Sequence, residues 1–290
     1  MRETALDWTG SPAGLLHRLT SHPERARQAC WLAEEGGEVV GIGRARLRWE
    51  VSERAVGTFW IGVRTEGRGR GVGSALFGRV TRHLLAAGAE VFESFADEED
   101  GRGFLARRGF RASGGEHLFV LEALAADLTA LPALEESKAE EGLVLASLGN
   151  VLDRQRELHE VYAAASADIP EDFTVDDIRY EEWLDECLGD PDLSRGGSAI
   201  VLQGERPVAF AFLIVDDQGC AANEMTGTLP AFRRRGLARL AKLATIRWAA
   251  RNGVATIVTG NDDDNAAMLA LNRSLGYLPV AERTFYVRES

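Results

Sequence analysis

Apolar and polar positions alternate in short runs or recur at helical spacing, and one order of runs occurs twice along the 290 residues. Near the C-terminal end, Thr226-Gly227-Thr228-Leu229 reads as a strand stopped by Pro230. A helix follows with apolar residues at Leu237, Leu240, Ala241, Ala244 and Trp248, the i, i+3, i+4 spacing of a buried stripe. Earlier, Thr58 to Arg64 reads as a strand that enters a glycine-rich turn. The next helix carries Val72, Ala75, Leu76, Val80 and Leu84 on one side and stops at Gly88, before the strand Glu90 to Glu93. Phe104 to Phe110 reads as a short helix closing on a Gly-aromatic turn. Trp31 to Glu34 and Val39 to Ala45 flank Gly36-Gly37, and Ser198 to Leu202 and Pro207 to Val215 flank Gly204; both pairs predict hairpins. Helices are predicted from about Pro12 to Ala29 and from Leu152 to Ala165.

The two copies keep register. Arg68 and Arg233, Gly71 and Gly236, and Gly88 and Gly253 are each 165 residues apart, and Gly109 and Gly276 are 167 apart. Each turn lies between a strand and an amphipathic helix, so the pattern is an internal repeat of a whole supersecondary unit. The apolar pattern fades near 130 to 140, which divides the chain into 1–134 and 135–290.

Composition narrows the function. Apolar content of 45% with 27% charged residues belongs to a globular protein. A net charge of −12 argues against a nucleic-acid partner. No apolar run approaches the roughly 20 residues of a membrane span, and Met1 to Asp7 lacks a signal-peptide core, so a cytoplasmic location is expected. Cys30, Cys187 and Cys220 are too scattered for a disulfide framework or a metal pair, and the five histidines show no ligand spacing; no metal is expected. From Asp168 to Asp190 ten acidic residues stand against one basic, Arg179, a local charge of −9. They form either a solvated helix face backed by Val175, Ile178, Leu184 and Leu188, or a wall that attracts a cationic acceptor.

The turns carry the chemistry. Arg68-Gly69-Arg70-Gly71-Val72-Gly73 and Arg233-Arg234-Arg235-Gly236-Leu237-Ala238 open helices, where free N–H groups and the positive end of the helix dipole meet. The ligand this suits is a pyrophosphate. Both stretches resemble motif A of the GNAT acetyltransferase superfamily, whose Arg/Gln-x-x-Gly-x-Gly/Ala turn holds the pyrophosphate of acetyl-coenzyme A. The resemblance covers most of the chain as two tandem domains, similar to the arrangement in mycothiol synthase. It implies an α/β (α+β) fold with a mixed, mostly antiparallel sheet flanked by helices in each half.

On that resemblance the cofactor-binding candidates are Thr226, Thr228, Leu229, Arg233 to Ala238 and Asn265 in the second half, and Val63 and Arg68 to Gly73 in the first. Thr259, Asn261, Asn265, Met268, Asn272 and Leu275-Gly276-Tyr277 look like the segment in which a helical Asn touches the pantetheine amides. Glu224 is the candidate base, expected on the face of Thr226 and Thr228 if strand pairing is regular. The family's frequent general acid is a Tyr four residues before the Gly of the Gly-aromatic turn. That place holds Asn272 here and Leu105 in the first half, leaving Tyr277, Tyr286 or water as substitutes. The first half has Phe59 at the place of Glu224, and Glu98 and Asp100 near the place of Asn265, so it reads as degenerate. The resemblance implies an acetyl-CoA-dependent N-acetyltransferase acting on a primary amine of a small, cationic acceptor, with chemistry in the second half. A non-catalytic acyl-CoA-binding or regulatory protein and a mycothiol synthase are the alternatives.

Overall fold

In the computed structural model, which describes residues 10–169 and 173–290, the strands join into one sheet. The first half supplies α1 (Pro12–Thr20), β1 (Ala29–Glu35), β2 (Glu38–Leu47), β3 (Val56–Val63), α2 (Val72–Ala86), β4 (Val91–Ala96), α3 (Glu99–Ala106) and β5 (Arg111–Glu122). After α4 (Leu131–Glu140) come β6 (Leu143–Ser147), α5 (Gln155–Ser166), α6 (Tyr180–Trp183), β7 (Ala199–Gln203), β8 (Arg206–Val215) and β9 (Cys220–Thr228). The chain closes with α7 (Leu237–Arg251), β10 (Thr256–Asp262), α8 (Ala266–Ser274) and β11 (Leu278–Glu289). The predicted helix from Pro12 ends instead at Thr20, because Pro23 cannot donate to an α-helical ladder and restricts His22 before it.

Sheet order is β1-β2-β3-β4-β11-β5-β10-β9-β8-β7-β6. The last strand of each half is therefore exchanged: β5 pairs with β10 of the second half, and β11 pairs with β4 of the first. The two exchanged strands also pair with each other, Leu278 with Val120 through to Val287 with Arg111. Residue 134 falls inside α4, which packs on β6 and α7.

Helix α7 is buried on more than its predicted stripe. Lys242, Leu243, Thr245 and Ile246 join Leu240, Ala241 and Ala244 inside, because the helix lies against β7, β8 and β9 while α4 covers another side. Each fully buried leucine or isoleucine there contributes about 1.5–3 kcal/mol. On the opposite face of β8, Phe210, Phe212 and Ile214 meet Leu158, Val161 and Trp183.

Candidate functional site

In each half a parallel strand pair opens after three residues. Strand β9 pairs with β10 only through Cys220–Thr256, Ala221–Ile257 and Ala222–Val258, and β3 pairs with β4 only through Val56–Val91, Gly57–Phe92 and Thr58–Glu93. Beyond those residues the strands splay, leaving a cleft headed by the turn and its helix.

The two turns match angle by angle. Arg68 and Arg233 are extended (φ −69° and −66°), and their Nε groups donate to the carbonyls of Val63 and Thr228, each at 3.2 Å. The positions three before each helix are left-handed, Gly69 at φ 73° and Arg234 at φ 59°, as are Gly71 at φ 88° and Gly236 at φ 79° directly before Val72 and Leu237. Alternating left-handed residues turn successive N–H groups to one side, the geometry of an anion nest. Among the described residues no side chain caps either helix, and a Cβ built on Gly71 or Gly236 meets nothing within 4 Å. Arg234 holds its conformation at a cost of about 1–2 kcal/mol, strain of the kind that gathers at binding sites. These residues fit a pyrophosphate.

The mouths of the two clefts differ. Asn265 is the N-cap of α8, its side chain accepting from Met268 N–H at 3.2 Å. Its counterpart Glu98, the N-cap of α3, instead accepts from Arg68 Nη1 at 2.7 Å, with Asp100 at 3.9 Å. In addition, Phe104 packs against Gly73. The first-half turn thus faces its own carboxylates. In the second half Arg233 pairs with Asp168, and Arg235 donates to Glu141 at 2.7 Å.

Glu224 does not share a face with Thr226 and Thr228. Strand β9 bulges there: Asn223 lies opposite Leu213 and Thr226 opposite Ala211, so Glu224 and Met225 together oppose Phe212. Directly opposed residues share a face, which puts Thr226 and Thr228 with Asn223 and re-aims Glu224. Strand β3 is regular through the same stretch, so the extra residue of β9 is an insertion relative to the first half. Asn223 Nδ2 holds the bulge by donating to the Phe212 carbonyl at 2.9 Å.

The bulge separates two cavities. One of about 610 Å³ is lined by Asn223, Thr226, Thr259, Asn261 and Asn265 of the second half and by Arg48, Glu50 and Glu93 of the first. The other, about 510 Å³, is lined by Arg44, Trp49, Tyr162, Trp183 and Glu186. Glu224 and Met225 line both. Tyr286 reaches the first cavity from β11.

Tyr277 is buried, and its hydroxyl has no hydrogen-bond partner among the described residues. Burial raises its phenol well above the ordinary value. Between it and the cavity lies Lys242, whose Nζ sits 5.1 Å from the Tyr277 ring centroid and whose side chain forms part of the cavity wall. Asn272, at the place where the family resemblance puts an acid, is buried and donates to Asn261.

The acidic stretch combines parts of both expected features: Ile178, Leu184 and Leu188 back it against the core, and Glu182, Glu186 and Asp190 line the second cavity. It is helical only from Tyr180, and its described carboxylates mostly bind the first half: Asp177 and Glu182 take Arg25, Asp190 takes Arg18 at 2.6 Å, Glu186 takes His22, and Asp176 accepts from Ser52. Glu171 and Asp172 lie outside the described residues.

A splayed strand pair beside an anion nest, built twice into one sheet, defines a tandem acyltransferase fold. The acetyltransferase (GNAT) family model matches residues 4–110 and 158–277, and the chain belongs to that family. Acetyl-CoA is the acyl donor the family uses. A mycothiol acetyltransferase of Nocardioides sp. is 28% identical over 270 residues, covering 89% of this chain and 84% of that protein. Two solved structures share the fold. A tandem GNAT protein from the clavulanic acid biosynthesis pathway has a TM-score of 0.71 at 18% identity, covering 97% of this chain and 90% of its own. A GCN5-related N-acetyltransferase from Sphaerobacter thermophilus has a TM-score of 0.65 at 15% identity, covering 97% and 95%. Among the described residues no helix is long and apolar enough to cross a membrane.

Sequence reasoning missed the bulge and Lys242. The bulge left no trace in local propensity. Lys242 was visible as a charge inside an apolar run, Leu240-Ala241-Lys242-Leu243-Ala244, in a chain with two lysines among its 33 Lys and Arg residues.

Proposed function

We propose that the chain transfers the acetyl group of acetyl-CoA to the primary amine of a small, cationic acceptor, with the chemistry in residues 135–290. The observation that carries this reading is the contrast between the clefts: the second presents an amide, Asn265, where the first presents Glu98 bound to Arg68. A carboxylate at that N-cap position opposes a pyrophosphate by like-charge repulsion; the carboxylates that pair with the second turn, Asp168 and Glu141, come from other elements. In the second half Arg233, Arg234, Arg235 and Gly236, with the first N–H groups of α7 at Leu237 and Ala238, would hold the pyrophosphate. Thr226, Thr228 and Leu229 on one side and Asn265 on the other would line the pantetheine arm. The first-half set, Val63 and Arg68 to Gly73, keeps the same backbone and serves as the degenerate copy.

The acceptor enters between the halves. An aliphatic amine arrives as an ammonium, which Glu224 and Glu50, lining both cavities, attract, and it must shed a proton before it can attack. Glu224 would take this first proton, directly or through water. Tyr277, buried behind Lys242, then acts on the cavity only through that lysine. The test is thiol release from acetyl-CoA across a panel of polyamines, aminoglycosides and amino sugars, compared with N-acetylated controls of the same compounds. Turnover with free amines alone supports the reading, and coenzyme A binding without turnover on any amine counts against it. Mycothiol acetyltransferase activity is a second reading, favoured by the identity over 89% of the chain, and a cysteinyl amino sugar in the panel tests it.

A further inference from the structure

Thirty-one of the chain's 33 cationic side chains are arginines; the lysines are Lys138 and Lys242. Lys138 lies on α4 and pairs with Glu141. Lys242 lies on α7 and is 1% exposed, yet it forms part of the wall of the cavity between β9 and β10. A guanidinium cannot give up its proton at any working pH, whereas a buried ammonium can. A chain that otherwise uses arginine nearly throughout has placed an amine at the cavity wall.

Lys242 stands between an aromatic ring and the cavity. The Tyr277 ring packs 5.1 Å from Nζ. The cavity it faces carries Glu224 from β9, Asp262 from β10 and Asp264 beyond it, together with Tyr286 from β11. From the first half come Arg46 and Arg48 at the end of β2, Glu50, Glu93 from β4 and Glu116 from β5. None of these sets its protonation: burial alone pushes the Lys242 amine down to about 7. It is therefore a group that exchanges a proton at neutral pH at the wall of the cleft.

We propose that Lys242 Nζ is the proton-exchanging group of this cleft: once Glu224 has taken the ammonium's proton, Lys242 takes up as a neutral amine the second proton, which the nitrogen loses as the C–N bond forms, and returns it to the sulfur that leaves. The inference rests on the acetyl-transfer reading given above. In that reaction a C–N bond forms and a C–S bond breaks. One proton passes from nitrogen to sulfur, and Lys242 ends in the state in which it began, with no other reactant required. The phenol expected at position 272 is an asparagine whose Nδ2 donates to Asn261, so the task of proton donor is open. A side chain that only packed beneath Tyr277 would serve as well as methionine.

The test uses the full chain labelled at the lysine ε-carbons, which gives one signal for each of two lysines. The Lys242 signal, identified by its loss in Lys242→Met, is expected to titrate at about 7 and to move when coenzyme A is added. With the best amine of the panel, the wild-type rate falls as the pH drops below that midpoint. Lys242→Met should retain coenzyme A binding, lose at least about tenfold in kcat and lose that limb of the pH profile, and Lys242→Arg should not restore it. A Lys242 signal that stays protonated through pH 9, a signal indifferent to bound coenzyme A, or a Lys242→Met enzyme with unchanged kcat and pH profile would each overturn the proposal. Loss of the other signal in Lys138→Arg gives the same assignment, so the ligand-free titration does not depend on Lys242→Met folding. A wild-type protein that binds no coenzyme A sinks the acetyl-transfer reading itself, and calorimetry distinguishes that outcome from a failure of Lys242 alone.

Discussion

Arg283 on β11 donates through Nε to Asp97 at 2.7 Å, joining the exchanged strand of one half to the residue that follows β4 of the other. Both side chains are nearly buried, and Arg283 also reaches Glu116 on β5 at 3.2 Å. One guanidinium therefore binds three elements at the centre of the sheet. Removing one partner of such a pair leaves a buried charge undercompensated. Asp97→Ala should lower stability by about 3 kcal/mol, measured by urea unfolding. Because the halves exchange strands, tryptophan fluorescence and far-UV dichroism should still give one coincident transition. Two separated transitions would contradict that coupling.

Glu224 owes its position to the insertion that makes β9 bulge, and it lines both cavities. Glu224→Gln keeps the shape and removes the basic oxygen. A loss on the order of 100-fold in kcat is expected, with little change in KM for acetyl-CoA, since general bases contribute at that scale. An unchanged kcat would move the base elsewhere.

Lys242 couples stability to pH. Its amine is held at about 7 in the folded chain, against an ordinary value of 10.5. Between those values the unfolded chain binds the extra proton, so stability rises with pH across this window, by up to about 1.4 kcal/mol per unit. Below 7 both states are protonated and the contribution is flat at its least favourable level. Lys242→Met should therefore unfold later than wild type at pH 6, with the difference narrowing toward pH 10. Parallel stability curves for the two proteins would contradict the burial argument.

The turns and helices of each half were legible because their signals are local. Arg233 to Ala238 and Arg68 to Gly73 recur at fixed spacing, and the structure gives them matching backbone angles. The strand exchange was not legible. The segments after Gly109-Phe110 and Gly276-Tyr277 are both strands of 12 residues, and nothing local says which half's strands each will join. The placement of Glu224 failed for a related reason: a bulge changes the face of a side chain without changing strand propensity. The acidic run from Asp168 to Asp190 was read by its charge and its apolar spacing, and neither names its partners. Its partners Arg18, His22 and Arg25 stand 152 to 172 residues earlier, where only the fold brings them near.

The central claim is that the second half binds acetyl-CoA through the nest at Gly236. Calorimetric titration of acetyl-CoA into the wild type, Gly71→Glu, Gly236→Glu and Gly236→Ala tests it most directly. Both glutamates place a negative charge where a pyrophosphate would sit, and Gly236→Ala imposes the same left-handed strain without the charge. The account predicts one site per chain, kept in Gly71→Glu and lost in Gly236→Glu, with Gly236→Ala weakened far less than Gly236→Glu. Binding that survives in Gly236→Glu, or that disappears only in Gly71→Glu, would contradict it.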